Sequence, residues 1–307
     1  MVNESVFKEL IRLGYSKEKK KRVWELSSPD LFYSSPDLAQ AFLNLKNFPI
    51  YRERIIEREL DLMKESAAAL KKVLGNQPFN LIDLHCANDD RVVRFINLLG
   101  PKVKIRYCPV NISPFLTQQA SAVVRNARLP HVIIHKPQHV PSSDWATTIS
   151  MLRGTNYQRN VVLLLGSSLA FFEINDFLFN LSKEWFRGDF LVIGNGVRTG
   201  KRLVHLEIYK DTLFHQWYIH LMHGLGFKDE EVRYDARFGN SRVECFYTLL
   251  TDKTIQHAEK SVVFKKGDEI LVAVIYKYYA RELENFCRMY FPEGEFLTDE
   301  EREYALV

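Results

Sequence analysis

The stretch Leu81-Ile82-Asp83-Leu84-His85-Cys86-Ala87-Asn88-Asp89-Asp90 decides the fold, because within it an apolar strand breaks at once into a turn. A run of this kind ending near Asp83 suits a strand covered on both faces of a parallel sheet, and Arg91 to Leu99 then carries its apolar residues at helical spacing. In open α/β sheets ligands bind beyond the carboxyl ends of the strands. The first strand-to-helix turn there usually carries glycines that let backbone N–H groups approach the ligand. Here His85-Cys86-Ala87-Asn88 stands in that place, so the architecture points to a nucleotide-type site whose usual flexible residues are missing.

Moving C-terminally, Val103 to Cys108, His131 to His135, Val161 to Leu165 and Phe190 to Ile193 read as strands, the last ending at Gly194-Asn195-Gly196. They are separated by a helix from about Ser113-Pro114 and another from Glu173 to Trp185. Such alternation implies right-handed crossovers and a mostly parallel sheet. Beyond Gly200 the pattern changes: a helix from about Val204 to Leu225 precedes the alternating run Arg242 to Leu250, which reads as a half-exposed antiparallel strand. Further strands are expected at Ser261 to Phe264, Ile270 to Ile275 and Glu303 to Val307, with a helix from Arg281 to Tyr290. N-terminal to the sheet, everything up to about Gly75 reads as helical, including Asp37 to Leu45 and a long charged helix from Tyr51 to Leu74.

The bulk properties narrow the function. With 307 residues and 46% hydrophobic content, the chain can bury one large core or two modest ones. Its 42 Lys and Arg against 38 Asp and Glu leave a net charge of +4, too little to argue for nucleic acid or an anionic membrane as the main partner. The dense basic run Lys17 to Arg22 reads as a solvated helix face or loop. Cys86, Cys108, Cys245 and Cys287 form no Cys-x-x-Cys pair, which argues for reduced thiols in a cytoplasmic protein; Cys86 reads as a buried small residue. No signal peptide or membrane-length span is apparent. The histidines at 131, 135 and 139, and His220 with His223, lack the partners of a metal site, and no metal is expected.

The order of short motifs resembles the histidine Nα-methyltransferases of ergothioneine biosynthesis, which use S-adenosylmethionine. Phe48-Pro49-Ile50-Tyr51 resembles the family's "LPEYY", Pro109-Val110-Asn111-Ile112-Ser113 its "PVDVS", Leu165-Gly166-Ser167-Ser168-Leu169-Ala170-Phe171-Phe172 its "LGSTIGNF", and Ala273 to Tyr278 its "EISCKY". The resemblance implies a Rossmann-like methyltransferase core with a mostly parallel sheet over residues 76–200 and 279–307. It also implies a second α+β domain, for substrate or accessory use, over residues 1–75 and 201–278.

By the same resemblance, the cofactor-binding positions are His85, Cys86, Ala87, Arg91 (a lysine in the family), Asn111 (the family's ribose-binding aspartate) and Gly166. The substrate positions are Tyr51, Phe171, Tyr209, Ala273 and Ile275; the family's asparagine, glutamate and serine fall on Phe171, Ala273 and Ile275. Those replacements remove hydrogen-bonding capacity, so histidine is not the expected acceptor. No catalytic acid or base is singled out, since the sulfonium is already activated and positioning supplies most of the rate. Two readings stand: a methyltransferase acting on a small amine or amino-acid-like acceptor, or a catalytically inactive relative serving as a binding or scaffolding module. The partners implied are a small molecule and neither nucleic acid nor membrane, with a protein partner left open.

Overall fold

A computed structural model describes residues 2–18, 21–88, 90–200 and 205–307. Two compact units emerge, one of Met1–Leu45 with Gly200–Lys277 and the other of Lys46–Thr199 with Tyr278–Val307.

The second unit holds a seven-stranded sheet in the spatial order Leu297–Thr298, Tyr304–Leu306, Phe190–Gly196, Arg159–Leu164, Phe79–Leu84, Ile105–Val110, Val132–Ile134. The run from Phe190–Gly196 to Val132–Ile134 is parallel throughout, and Tyr304–Leu306 lies antiparallel to Phe190–Gly196. Every residue of Phe79–Leu84 is buried, as expected for a central strand covered on both faces. From that strand the chain first builds outward to Val132–Ile134, then returns to the other side at Arg159–Leu164. The topological switch point therefore lies at the carboxyl end of Phe79–Leu84, the place where such sheets bind ligands.

One domain boundary read from the sequence needs correction. Residues 46–75 belong with the parallel sheet and not with the accessory part: Leu62, Met63, Ala67, Leu70 and Leu74 of the helix Arg58–Leu74 share one core with Phe79, Leu81, Phe95, Ile105, Val161 and Leu163. The spacing of those residues predicted the helix, but not which sheet its apolar stripe would cover. Gly194-Asn195-Gly196 also departs from expectation. It is no terminal turn but the last part of the strand Phe190–Gly196, because Tyr304–Leu306 continues the ladder there.

The first unit carries a five-stranded sheet in the order Tyr15–Glu18, Lys21–Glu25, Glu269–Tyr276, Arg242–Leu249, Val232–Gly239, with a separate hairpin of Lys253–His257 and Lys260–Phe264. The basic run is therefore a β-hairpin and not a helix face, although Lys19 and Lys20 lie outside the described residues. Two of its cations have acidic partners: Lys21 pairs with Glu269, the first residue of the adjoining strand Glu269–Tyr276, and Arg22 with Asp268 just before it. Charge complementarity across the sheet takes the place of the solvated helix face or loop expected from the sequence. The helix expected from Val204 to Leu225 is two, Leu206–Lys210 and Thr212–Gly224. Asp211, extended between them, caps the second by accepting from the Leu213 N–H at 3.1 Å; Val204 lies outside the described residues. Phe32, Tyr33, Phe42, Trp217 and Tyr218 form an aromatic core in this unit.

Candidate functional site

At the end of the strand Phe79–Leu84 the backbone turns through His85, which takes a left-handed φ of 55° where a glycine would be unstrained. The turn directs the imidazole inward. Its ring meets Trp145 edge-on at 4.7 Å and Phe172 at 5.7 Å, and burial drives its pKa down to about 3, so the ring is neutral. Phe172 in turn packs on Phe177, which makes this an aromatic plug spanning the turn and the following helices.

Asn111, one residue past the strand Ile105–Val110, is fully buried and turned toward the same bend. Its amide nitrogen donates to the Cys86 carbonyl at 3.0 Å, and its side-chain oxygen accepts from the Ser113 N–H at 2.9 Å. Both ends of the amide therefore tie one loop to the other. The Cys86 N–H donates to the Val110 carbonyl at 3.4 Å, and Cys86 and Ala87 are buried. His85, Cys86, Ala87 and Asn111 are thus brought together as the sequence suggested. The Asn111 amide is spent on the Cys86 carbonyl and the Ser113 N–H, while the His85 ring lies against Trp145 and Phe172.

Arg91 and Gly166 meet over a residue that the sequence reading missed, Glu59. This carboxylate is fully buried, pairs with the Arg91 guanidinium, and accepts from the Gly166 N–H at 2.9 Å and the Tyr304 hydroxyl at 2.6 Å. A Cβ built on Gly166 would come within 3.0 Å of Arg91 Nη1, so the guanidinium lies directly on the Gly166 backbone. A Cβ at Gly194 would collide with Glu59 Oε1 and come within 2.9 Å of the Tyr304 hydroxyl oxygen, which explains a glycine inside that strand. Burial, and after it the neighbouring Glu59 carboxylate, push the Tyr304 pKa well above the usual tyrosine range, so the hydroxyl stays a donor. Glu59 did leave a signal in the sequence: it falls three and four residues before Leu62 and Met63, an acid on an otherwise apolar helical stripe.

The substrate positions divide between the two units. Tyr51 ends the short helix Pro49–Tyr51 and Phe171 ends the 3₁₀ turn Ser168–Phe171, both in the unit with the parallel sheet. Tyr209, Ala273 and Ile275 belong to the other unit. There the Tyr209 carbonyl accepts from the Tyr234 hydroxyl at 2.6 Å, and its ring lies 5.1 Å from the Lys277 ammonium. Ala273 and Ile275 are buried strand residues opposite Cys245 and Val243. Among the described residues no cluster of His, Cys, Asp and Glu could hold a metal ion. His139 bonds Thr117 at 2.9 Å, and His223 bonds Asp229 at 2.6 Å. All four cysteines are buried and none is in a disulfide. No helix among the described residues is long and apolar enough to cross a membrane.

Against known proteins, residues 28–307 match the model of a family described as histidine-specific, S-adenosylmethionine-dependent methyltransferases. No curated protein matches in sequence. Similar solved structures include a methyltransferase of unassigned substrate from Thermobifida fusca YX, with 11% identity, coverage of 91% of this chain and 96% of that one, and a TM-score of 0.41. Another is magnesium protoporphyrin IX methyltransferase from Synechocystis PCC 6803, with 8% identity, coverage of 76% and 91%, and a TM-score of 0.37.

Proposed function

The chain belongs to the histidine-specific, S-adenosylmethionine-dependent methyltransferase family, and from that premise we propose that this member keeps the family's scaffold as a binding module and has given up turnover of the cofactor. The observation that carries the reading is the Glu59–Arg91–Gly166–Tyr304 cluster. Two of its members, Arg91 and Gly166, hold positions that by family resemblance would face the cofactor, and both are bonded to the buried Glu59 carboxylate, which also accepts from Tyr304.

The residues present do not fit S-adenosylmethionine. A cofactor carboxylate that drew Arg91 away from Glu59 would strand a buried carboxylate. Breaking one side of a buried pair costs about 3–5 kcal/mol, or roughly two to four orders of magnitude in affinity. A ribose hydroxyl faces a similar obstacle at Asn111, whose amide already holds Cys86 and Ser113. The inward imidazole of His85 fills the bend that a glycine would leave open. These groups act as internal struts: they keep the strand ends closed and water out.

Calorimetric titration of the full chain with S-adenosylmethionine, and separately with S-adenosylhomocysteine, tests the proposal. The expected result is no saturable heat and no shift in Tm at about 1 mM ligand. Saturable binding of either compound with a Kd of about 100 μM or tighter would overturn it and return the chain to the enzyme reading, with a small amine as acceptor.

A further inference from the structure

A second feature of the parallel-sheet unit lies away from the strand-end turn. Among the described residues the strand Val132–Ile134 is the edge of the seven-stranded sheet, paired with Ile105–Val110 alone. Beside it, along the helix Pro114–Asn126, runs an open groove of about 810 Å³. Its lining mixes the apolar Val124, Leu129, Val132 and Ile134 with Gln118 and Ser121, and its rim carries the exposed Arg125, Arg128 and Lys136. All three rim cations are exposed, and among the described residues none has an acidic partner. Elsewhere in the same unit Arg153 is matched to Asp189 and Arg58 to Asp299. Arg128 also holds a left-handed φ of 50°, a conformation that costs a non-glycine residue about 1 kcal/mol or more.

The strand itself is ready to pair. Ile105 N–H donates to the His131 carbonyl and His135 N–H to the Tyr107 carbonyl, so residues 131, 133 and 135 face the inner neighbour. By the alternation of a strand, the N–H and C=O of Ile134 face outward. Ile133 is 52% exposed on the strand's other side, an apolar residue on an edge that proteins normally blunt.

We propose that this edge and groove receive an extended acidic segment of a partner protein, which adds a strand beside Val132–Ile134 and sets its carboxylates against Arg125, Arg128 and Lys136. Main-chain pairing supplies affinity in such an arrangement, and the charged rim selects the sequence. A second copy of this chain is a poor occupant, because edge-to-edge pairing would bring two sets of the same unpaired cations together. Nucleic acid is disfavoured by the net charge of +4 and by a lining without Phe, Tyr or Trp for base stacking. The proposal is independent of the fate of the cofactor site.

The test uses a fluorescein-labelled peptide of alternating glutamate and valine, with fluorescence anisotropy on the full chain. Saturable binding is expected, weakened about tenfold by each of Arg125→Glu, Arg128→Glu and Lys136→Glu. It should also be weakened by salt and lost when a central valine of the peptide becomes proline, which removes a ladder donor. These residues lie on the surface, and unchanged circular dichroism confirms that the variants fold. Absence of binding overturns the proposal, as does binding indifferent to all three reversals. Binding that survives the proline peptide and is competed by inorganic phosphate assigns the rim to a small anion instead. Tighter binding of a single-stranded oligonucleotide, through the same arginines, assigns it to nucleic acid.

Discussion

Replacing Glu59 by Gln tests the struts of the closed turn most directly. The wild-type carboxylate, fully buried, serves the Arg91 guanidinium, the Gly166 N–H and the Tyr304 hydroxyl together. Glutamine keeps one oxygen and turns the other into a donor. With its amide nitrogen toward Arg91, two donors confront each other; flipped, the nitrogen faces the Gly166 N–H, which cannot reorient. Either way a buried donor goes unpaired, at about 1–3 kcal/mol, and the guanidinium loses its countercharge. The sum falls in the range of about 3–5 kcal/mol measured for stripping one partner from a buried ion pair. Set against a total stability of about 5–15 kcal/mol, that is a large fraction. Urea unfolding followed by tryptophan fluorescence gives the loss. Adding Arg91→Met should then recover about 1–3 kcal/mol of it, because the uncompensated charge is gone. A loss below about 1 kcal/mol for Glu59→Gln, or a second loss on adding Arg91→Met, would refute the argument that this pair holds the turn shut.

Other consequences follow from the same geometry. Because the folded pKa of His85 is depressed from 6.5 to about 3, the unfolded chain takes up a proton that the folded one refuses as the pH drops below 6.5. Stability contributed by the neutral ring is complete above that value and should fall by up to about 1.4 kcal/mol per pH unit toward pH 3. His85→Asn, which tolerates the left-handed backbone, should remove that part of the slope; parallel curves for the two proteins between about pH 6 and 4 would show the reasoning to be mistaken. Gly194→Ala drives a methyl into Glu59 and should cost about 3 kcal/mol, while Gly239→Ala, with nothing within 4 Å of the added Cβ, should change stability by less than about 0.5 kcal/mol in chemical unfolding. Glu269 gives a pH signature of its own: burial raises its pKa, but Lys21 and Arg237 outweigh this and leave it lowered. The stability from that cluster should hold above the ordinary glutamate range and fade as pH drops through the depressed value, and Lys21→Ala should shrink the effect in acid titrations of stability.

The sequence by itself determined the parallel sheet, its switch point at His85 and the membership of the family. Those depend on local periodicity, turn chemistry and the order of short motifs, which survive in one dimension. The resemblance also assigned His85, Cys86, Ala87, Arg91, Asn111 and Gly166 to a cofactor site. What it could not give was their orientation. Glu59 lies 107 residues from Gly166 and 245 from Tyr304 in the chain, and only folding brings the three together. The same holds for the basic hairpin, read as a solvated helix face or loop until Asp268 and Glu269 supply its counter-charges from the far end of the chain, and for residues 46–75, whose stripe names a helix without naming its sheet. A polar side chain looks available to a ligand when read along the chain. Whether it is free or already satisfied is a property of its neighbours in space, and burial makes that difference worth several kcal/mol.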